Sequence, residues 1–139
     1  MNCDRMSELD LKSPQWHARA RAIAERVHAN LLPLGLDADR DYWFYDMKLP
    51  HHYTIIEMCD PKRITPDVLV ACNRAVVGEK GDWGVSISIR DPKSDGLIPI
   101  VATSGGAFTL ICTEDWVSKL IDEAYERMGV SLPPRAHKS

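Results

Sequence analysis

The chain has 139 residues, of which 45% are hydrophobic and 27% are charged, and its formal net charge is −3. This composition is typical of one globular domain with a sizeable core. The acidic balance argues against nucleic acid as the main partner, because phosphate binding requires a basic surface. No apolar run approaches the roughly 18 residues of a membrane-spanning helix, so a membrane is not predicted as a partner either.

The first predicted helix follows a polar stretch, residues 1–12, which we expect to be flexible. Ser13 and Pro14 predict its start, because an N-cap followed by proline is a common helix beginning. Its apolar stripe has the three- and four-residue spacings of a buried helix face, and consists of Trp16, Ala20, Ile23, Val27 and Leu31. Pro33 and Gly35 predict its end.

A β-hairpin is predicted next. Residues 42–49 are rich in aromatic side chains and indicate one strand, and residues 53–59 indicate the returning strand. Asp37, Asp39 and Asp41 precede the first strand, and Asp46 lies within it. The hairpin therefore joins a run of aromatic rings to a group of carboxylates.

The second helix is predicted to begin at Thr65 and Pro66 and to end at Gly78. A three-stranded meander follows. Its first strand is indicated by Val85, Ile87 and Ile89, which alternate with polar residues at the two-residue period of a strand.

The rest of the meander is predicted over residues 97–103 and 107–112, with a tight turn at the two glycines 105 and 106. With these glycines at the centre of the turn, we expect Val101 to face Leu110 and Thr103 to face Phe108. Ile100 is then expected to face Ile111 on the other side of the sheet.

The last predicted helix is capped by Thr113 and ends at Gly129. Its apolar stripe is Trp116, Leu120, Ala124 and Met128, with Val117 and Ile121. Residues 131–139 are predicted to be a flexible tail. The element order αββαβββα over residues 13–130 predicts a single α+β domain with three helices and an antiparallel sheet of about five strands.

The four cysteines are scattered, with no C-x-x-C pair, and are Cys3, Cys59, Cys72 and Cys112. We interpret them as small buried side chains of a protein in a reducing compartment. The N-terminus lacks the apolar segment of a signal peptide. Both observations predict a cytoplasmic location.

A small pocket is one interpretation of the hairpin. His51 and His52 lie at its turn, and Glu57 and Cys59 lie on its second strand, so these four residues are candidates for an enzyme or ligand-binding site. Adjacent strand residues point to opposite faces, which disfavours a shared metal ion. No catalytic, metal or nucleotide motif accompanies them, and we predict no cofactor.

A protein-binding surface is the other interpretation. Exposed tyrosine and tryptophan side chains ringed by carboxylates are typical of binding hot spots. We therefore predict that this chain is a non-enzymatic protein-binding module. The predicted partner-binding residues are Asp37, Asp39, Asp41, Trp43, Tyr45 and Asp46, with Asp91 and Asp95 as a second contact.

The size, the acidic charge and the element order over residues 13–129 resemble those of bacterial immunity proteins. These proteins accompany polymorphic toxins and contact-dependent growth-inhibition toxins. The resemblance implies a cytoplasmic inhibitor that binds a cognate toxin domain, and many such toxins are nucleases with basic active sites. A homodimer that pairs a sheet edge is a third possibility left open by the sequence.

Overall fold

The computed structural model describes residues 17–38, 40–48, 52–79, 83–94, 96–104, 106–129 and 136–137. Within these ranges the helices are α1 (Ala18–Leu31), α2 (Pro66–Val76) and α3 (Asp115–Arg127). The strands are β1 (Tyr42–Lys48), β2 (His52–Met58), β3 (Trp83–Arg90), β4 (Leu97–Ser104), β5 (Ala107–Leu110) and the two-residue β6 (Ala136–His137). The α+β class and the predicted order of the three helices and five longer strands are confirmed.

The six strands form one sheet in the order β1-β2-β3-β4-β5-β6. The pairs β1–β2, β3–β4 and β4–β5 are antiparallel, whereas β2–β3 and β5–β6 are parallel. The prediction of an antiparallel sheet is therefore wrong. The reason is α2, which returns the chain from the end of β2 to the start of β3, so that both strands run the same way.

The helices cover one face of the sheet. Strand residues at facing register positions, among them Phe44, Ile56, Ile87 and Val101, share one hydrophobic cluster with the buried side chains of all three helices. We call this the covered face. The alternate positions form the second face, which includes Tyr45, Ile55, Glu57, Ser86 and Ala102.

A register shift in β4 changes one predicted side-chain direction. Between β3 and β4, Ile87 pairs with Val101, but the next residue, Ser88, pairs with Pro99. Ile100 therefore has no partner residue on β3 and forms a bulge. Ile100 is 1% exposed and joins the same core cluster as Val101, so its predicted position on the opposite side is wrong. A bulge allows this because it interrupts the alternation of side chains.

The hairpin register of β4 and β5 is otherwise as predicted: Val101 pairs with Leu110, and Thr103 pairs with Phe108. At the C-terminus, Ala136–His137 pairs with Thr109 and Leu110 within the segment that the sequence treats as a tail. The predicted flexible residues 1–12 lie outside the described ranges.

The helix starts agree with the sequence only for α2. There the Thr65 hydroxyl accepts a hydrogen bond from the Val68 N–H (3.3 Å). α1 begins at Ala18 rather than at Ser13, because His17 is extended (ψ 137°) and caps the helix through its ring nitrogen. α3 begins at Asp115, with Glu114 rather than Thr113 at the N-cap position.

Candidate functional site

Four connections meet at one end of the sheet, which we call the loop end. The strands β2, β3 and β5 finish there, and β1 and β4 begin there. The connections are residues 32–41, 59–65, 91–96 and 111–114. Asp37, Asp41 and Asp91 therefore lie at the same end of the fold, and Asp39 and Asp95 lie outside the described residues.

Asp41 is engaged within its own loop. Its carboxylate accepts hydrogen bonds from the Asp37 N–H (2.9 Å) and from Arg40 Nη2 (2.7 Å), and Arg63 Nη1 lies 4.0 Å away. The hydrogen bond from Arg40, together with the one from the Asp37 backbone, lowers the pKa of the Asp41 carboxyl. Asp41 thus organises the α1–β1 connection.

Asp91 has a comparable local role. Its carboxylate accepts hydrogen bonds from the Lys93 N–H (2.9 Å) and the Ser94 hydroxyl (2.8 Å), which is the geometry of an aspartate-stabilised turn. The backbone hydrogen bond from Lys93, assisted by Ser94, lowers the pKa of the Asp91 carboxyl.

Asp46 lies far from the other predicted carboxylates. It is near the end of β1 opposite the loop end, on the covered face, where its carboxylate accepts a hydrogen bond from the His17 N–H (2.9 Å) and pairs with the His52 ring. This contact ties the start of α1 to the first hairpin. The structure thus separates Asp46 from the acidic group with which the sequence placed it.

The two predicted hot-spot rings, Trp43 and Tyr45, both lie on the second face. Trp43 is half-buried, and Tyr45 is 9% exposed. The expectation of an open Tyr45 ring is wrong, because its hydroxyl donates to Glu57 Oε1 (2.6 Å) and accepts from Arg90 Nη2 (2.9 Å). Tyr45 therefore belongs to a buried polar network.

The residues of the alternative pocket are not brought together. His52 starts β2 on the covered face, Glu57 is 1% exposed on the second face, and Cys59 lies at the loop end. The strand β2 separates His52 from Cys59 by roughly 20 Å, at about 3.3 Å per residue. Cys59 is also exposed rather than buried as predicted, whereas Cys72 is buried and Cys112 half-buried. His51 and Cys3 lie outside the described residues.

His52 is held in a stack of rings. Its imidazole lies parallel to the Trp83 indole, with centroids 4.1 Å apart and planes at 14°, while the His17 ring approaches Trp83 at 4.7 Å. The Arg19 guanidinium lies 4.4 Å from the Trp83 centroid and donates to Glu79. These contacts join α1, the α2–β3 connection and the strands β2 and β3, which is a structural role.

Exposed apolar side chains concentrate at the loop end. Among the described residues, the large apolar side chains that are exposed are Leu32, Leu34, Met47, Val77, Ile98 and Trp116. Four of these six lie in or next to the connections of the loop end, whereas Met47 and Val77 are far from it. Leu32 and Leu34 belong to the first connection, Ile98 is the second residue of β4, and Trp116 is the second residue of α3.

Two shallow grooves flank the short 3₁₀ turn Pro61–Arg63 at the loop end. The first, which we call the Trp116 groove, has a volume of about 320 Å³ and is lined by Pro61, Lys62, Ile64 and Trp116. The second, the Leu34 groove, is lined by Leu34, Leu36, Arg63, Thr65, Asp67 and Val68.

Trp116 was missed as a site residue because its spacing on α3 matches the core stripe. Leu120 and Ala124, one and two turns further along, are buried as that stripe predicts. Trp116 is 38% exposed, although Val117 in the same first turn of the helix is fully buried. Its position beside Glu114 and Asp115, in a polar helix start, is the signal that distinguishes it.

The described part of the chain contains no group of three or more histidine, cysteine, aspartate or glutamate side chains arranged to hold a metal ion. None of its helices combines the length and apolarity needed to cross a bilayer. No family model matches the chain, and no curated protein or solved structure matches it either.

Proposed function

We propose that this chain is a non-enzymatic protein-binding module that contacts its partner through the loop end. The observation that supports this most directly is the concentration of exposed apolar side chains there, Trp116, Leu34, Leu32 and Ile98. Clustered apolar exposure rimmed by polar groups is characteristic of protein–protein contact sites.

The chemistry of the loop end fits such a contact. Binding energy at protein interfaces is concentrated in a few aromatic and arginine anchors within a polar rim. Trp116 and the partly exposed Arg63 supply both anchor types, and the carboxylates of Asp37, Asp41 and Asp91 belong to the same end of the fold. The surface that we propose thus keeps three of the six predicted aspartates and replaces Trp43 and Tyr45 by Trp116.

The partner class that we propose comes from the resemblance to immunity proteins. In that role the chain would neutralise a toxin domain in the bacterial cytoplasm by covering its basic active site. The negative overall charge of −3 is compatible with this role, because opposite charge accelerates association and favours the correct partner.

The test is comparative capture from cells that contain the protein, followed by affinity measurements. The intact chain, Trp116→Ala, Leu34→Asp and the control Val77→Ala are immobilised in parallel. Val77 is 63% exposed but follows the last residue of α2, away from the loop end. We expect a protein that the intact chain and Val77→Ala retain equally and that both loop-end variants lose.

The affinity for Trp116→Ala should then fall by roughly 30-fold, the change that corresponds to about 2 kcal/mol at a hot spot. Expression of the captured protein alone should be toxic if the partner is a toxin. Equal retention by all four proteins would refute a contact at the loop end.

A further inference from the structure

The Trp116 groove is bordered by carboxylates that have no ion-pair partner among the described residues, whereas Asp67, which lines the Leu34 groove, is paired with Arg127. We infer that the occupant of the Trp116 groove is a basic segment of the partner protein, which places an apolar side chain against Trp116 between flanking lysine or arginine residues. This inference rests on the proposed function, because it names the chemistry of the partner at that surface.

The backbone beside the groove is held in place by core contacts and hydrogen bonds. Ile64 on its floor is 5% exposed and belongs to the core cluster. The turn beside it is closed by the Ile64 N–H, which donates to the Pro61 carbonyl (3.1 Å), and by the Asp60 side chain, which accepts from the Lys62 N–H (3.0 Å). A backbone held in this way loses little conformational entropy on binding, which favours affinity.

The anchor in the groove is Trp116. The next residue on α3, Val117, is fully buried, so the first turn of the helix is fixed against the core while the indole remains 38% exposed. A fixed, partly exposed indole offers a large contact area at a small entropic cost, as the aromatic anchors of protein interfaces do.

The two charged residues that line the Leu34 groove, Arg63 and Asp67, already have partners. Arg40 and Arg63 approach Asp41, with N–O distances of 2.7 and 4.0 Å, and Arg127 pairs with Asp67 at 2.8 Å. Asp67 therefore has little free charge with which to attract a cationic segment to the Leu34 groove.

The carboxylates next to the Trp116 groove are different. Asp60 precedes the lining residue Pro61, and Glu114 and Asp115 precede Trp116 itself. All three are exposed, and none has an ion-pair partner within the described residues.

The cations near the groove do not balance these carboxylates. Lys62 lines the groove, and Lys119 lies one turn further along α3. Three carboxylates against two ammonium groups leave the border negative, so a cationic segment is favoured over an anionic one.

The probes are two peptides, acetyl-KKLKK-amide and its acidic counterpart acetyl-EELEE-amide, each titrated into the intact ¹⁵N-labelled chain. We expect the basic peptide to shift the amide resonances of Ile64 and Trp116 and the indole N–H resonance of Trp116. Its affinity should exceed that of the acidic peptide at least about tenfold at low salt, because charge attraction is strongest there.

Two variants assign the interaction to the groove. Trp116→Ala should abolish the leucine-dependent part of the binding, so that acetyl-KKLKK-amide and acetyl-KKAKK-amide bind equally. The pair Glu114→Lys and Asp115→Lys should weaken the basic peptide at least about fivefold. The control pair Glu123→Lys and Glu126→Lys makes the same charge change near the far end of α3, and should alter the affinity less than about twofold.

Several outcomes would overturn the inference. They are no binding of the basic peptide, equal binding of the acidic peptide, or binding that survives both groove variants. If the peptide changed only the amide resonances of residues that line the Leu34 groove, a basic occupant at Trp116 would also be rejected. The proposed function would still be supported if the capture experiment found a partner that binds the loop end. Sedimentation of the free chain as a dimer that Trp116→Ala dissociates would show that a second copy occupies the groove, which again rejects the inference.

Discussion

Glu57 of β2 and Arg90 of β3 form a two-point ion pair on the second face of the sheet, with Arg90 Nε 3.0 Å from Glu57 Oε2 and Nη2 2.9 Å from Oε1. The Tyr45 hydroxyl completes the network from β1, so that one carboxylate joins three adjacent strands. Glu57 is 1% exposed, and a charge at this depth is tolerated because its counter-ion and hydrogen-bond donors are fixed beside it.

Removal of Arg90 should therefore destabilise the fold strongly. We expect Arg90→Ala to lower the free energy of unfolding by about 3 kcal/mol, because it removes a positive charge and two hydrogen bonds from the buried Glu57 carboxylate. Urea unfolding followed by circular dichroism measures this change. The exposed Lys93, in the next turn, is the control, and Lys93→Ala should change stability by less than about 0.5 kcal/mol. Similar values for the two variants would contradict the structural role of the network.

The stability should also depend on pH through Glu79. The hydrogen bonds from Arg19 (2.8 Å) and Arg26 (2.5 Å) hold the pKa of this carboxyl below its ordinary value of 4.5, although partial burial opposes them. A pKa that is lowered by folding stabilises the native state above pH 4.5, and this contribution disappears as the pH falls through the native pKa.

We therefore expect the stability difference between the intact chain and Glu79→Gln to shrink when the pH is lowered from about 6 to about 3. Asp67→Asn is the matched control, because Asp67 and Arg127 form an ion pair in which both side chains are 50% exposed, and such pairs contribute little. A constant difference for Glu79→Gln would show that its ion pairs contribute nothing to folding.

The cysteines should differ sharply in reactivity. Complete burial raises the pKa of the Cys72 thiol to about 12, so the thiolate that reacts with alkylating reagents is almost absent in the native protein near pH 8. Cys59 is exposed and should be alkylated readily. Iodoacetamide labelling followed by peptide mass spectrometry should find modified Cys59 in the native chain and modified Cys72 only after denaturation. Native labelling of Cys72 at a rate similar to that of Cys59 would indicate that α2 detaches easily.

Gly84 should not tolerate a side chain. An added Cβ would lie 2.8 Å from the Thr103 carbonyl oxygen and 3.0 Å from Tyr53 Cε1. Because the carbonyl belongs to the neighbouring strand β4, we expect Gly84→Ala to destabilise the protein by about 1–3 kcal/mol. At Gly96 the nearest contact of an added Cβ would be the Ser94 hydroxyl at 3.4 Å, so Gly96→Ala should change stability by less than about 1 kcal/mol in the same unfolding assay.

Local patterns were sufficient to predict most elements of the fold. The Thr65–Pro66 helix start and the pairing of Val101 with Leu110 depend on residues near each other in the sequence, and both are confirmed. The parallel pairing of β2 with β3 was missed because it depends on the direction in which α2 carries the chain. A hydrophobic pattern reports that a helix has a buried face, but it contains no information about which strands the helix connects side by side.

The candidate site was harder to predict for a related reason. Tyr45 was expected to be exposed and is buried, whereas Trp116 was expected to be buried and is exposed. Both differences depend on residues that are distant in the sequence. Tyr45 is buried because Glu57 and Arg90, from two other strands, provide partners for its hydroxyl. Trp116 stays partly exposed at the N-terminal end of its stripe on α3, where it borders a groove with Pro61 and Ile64. Residue type and spacing are the same in either environment, so the sequence alone did not separate them.

The crossover through α2 also constrains the route by which the protein folds. The β1–β2 hairpin and the β3–β4–β5 meander each form from short-range contacts, whereas the junction between them, β2 against β3, requires α2 to close a loop of more than 20 residues first. We expect the two halves to gain structure early and to join in the rate-limiting step. Mutations that weaken α2 would then slow folding, while mutations in the outer turns would mainly accelerate unfolding.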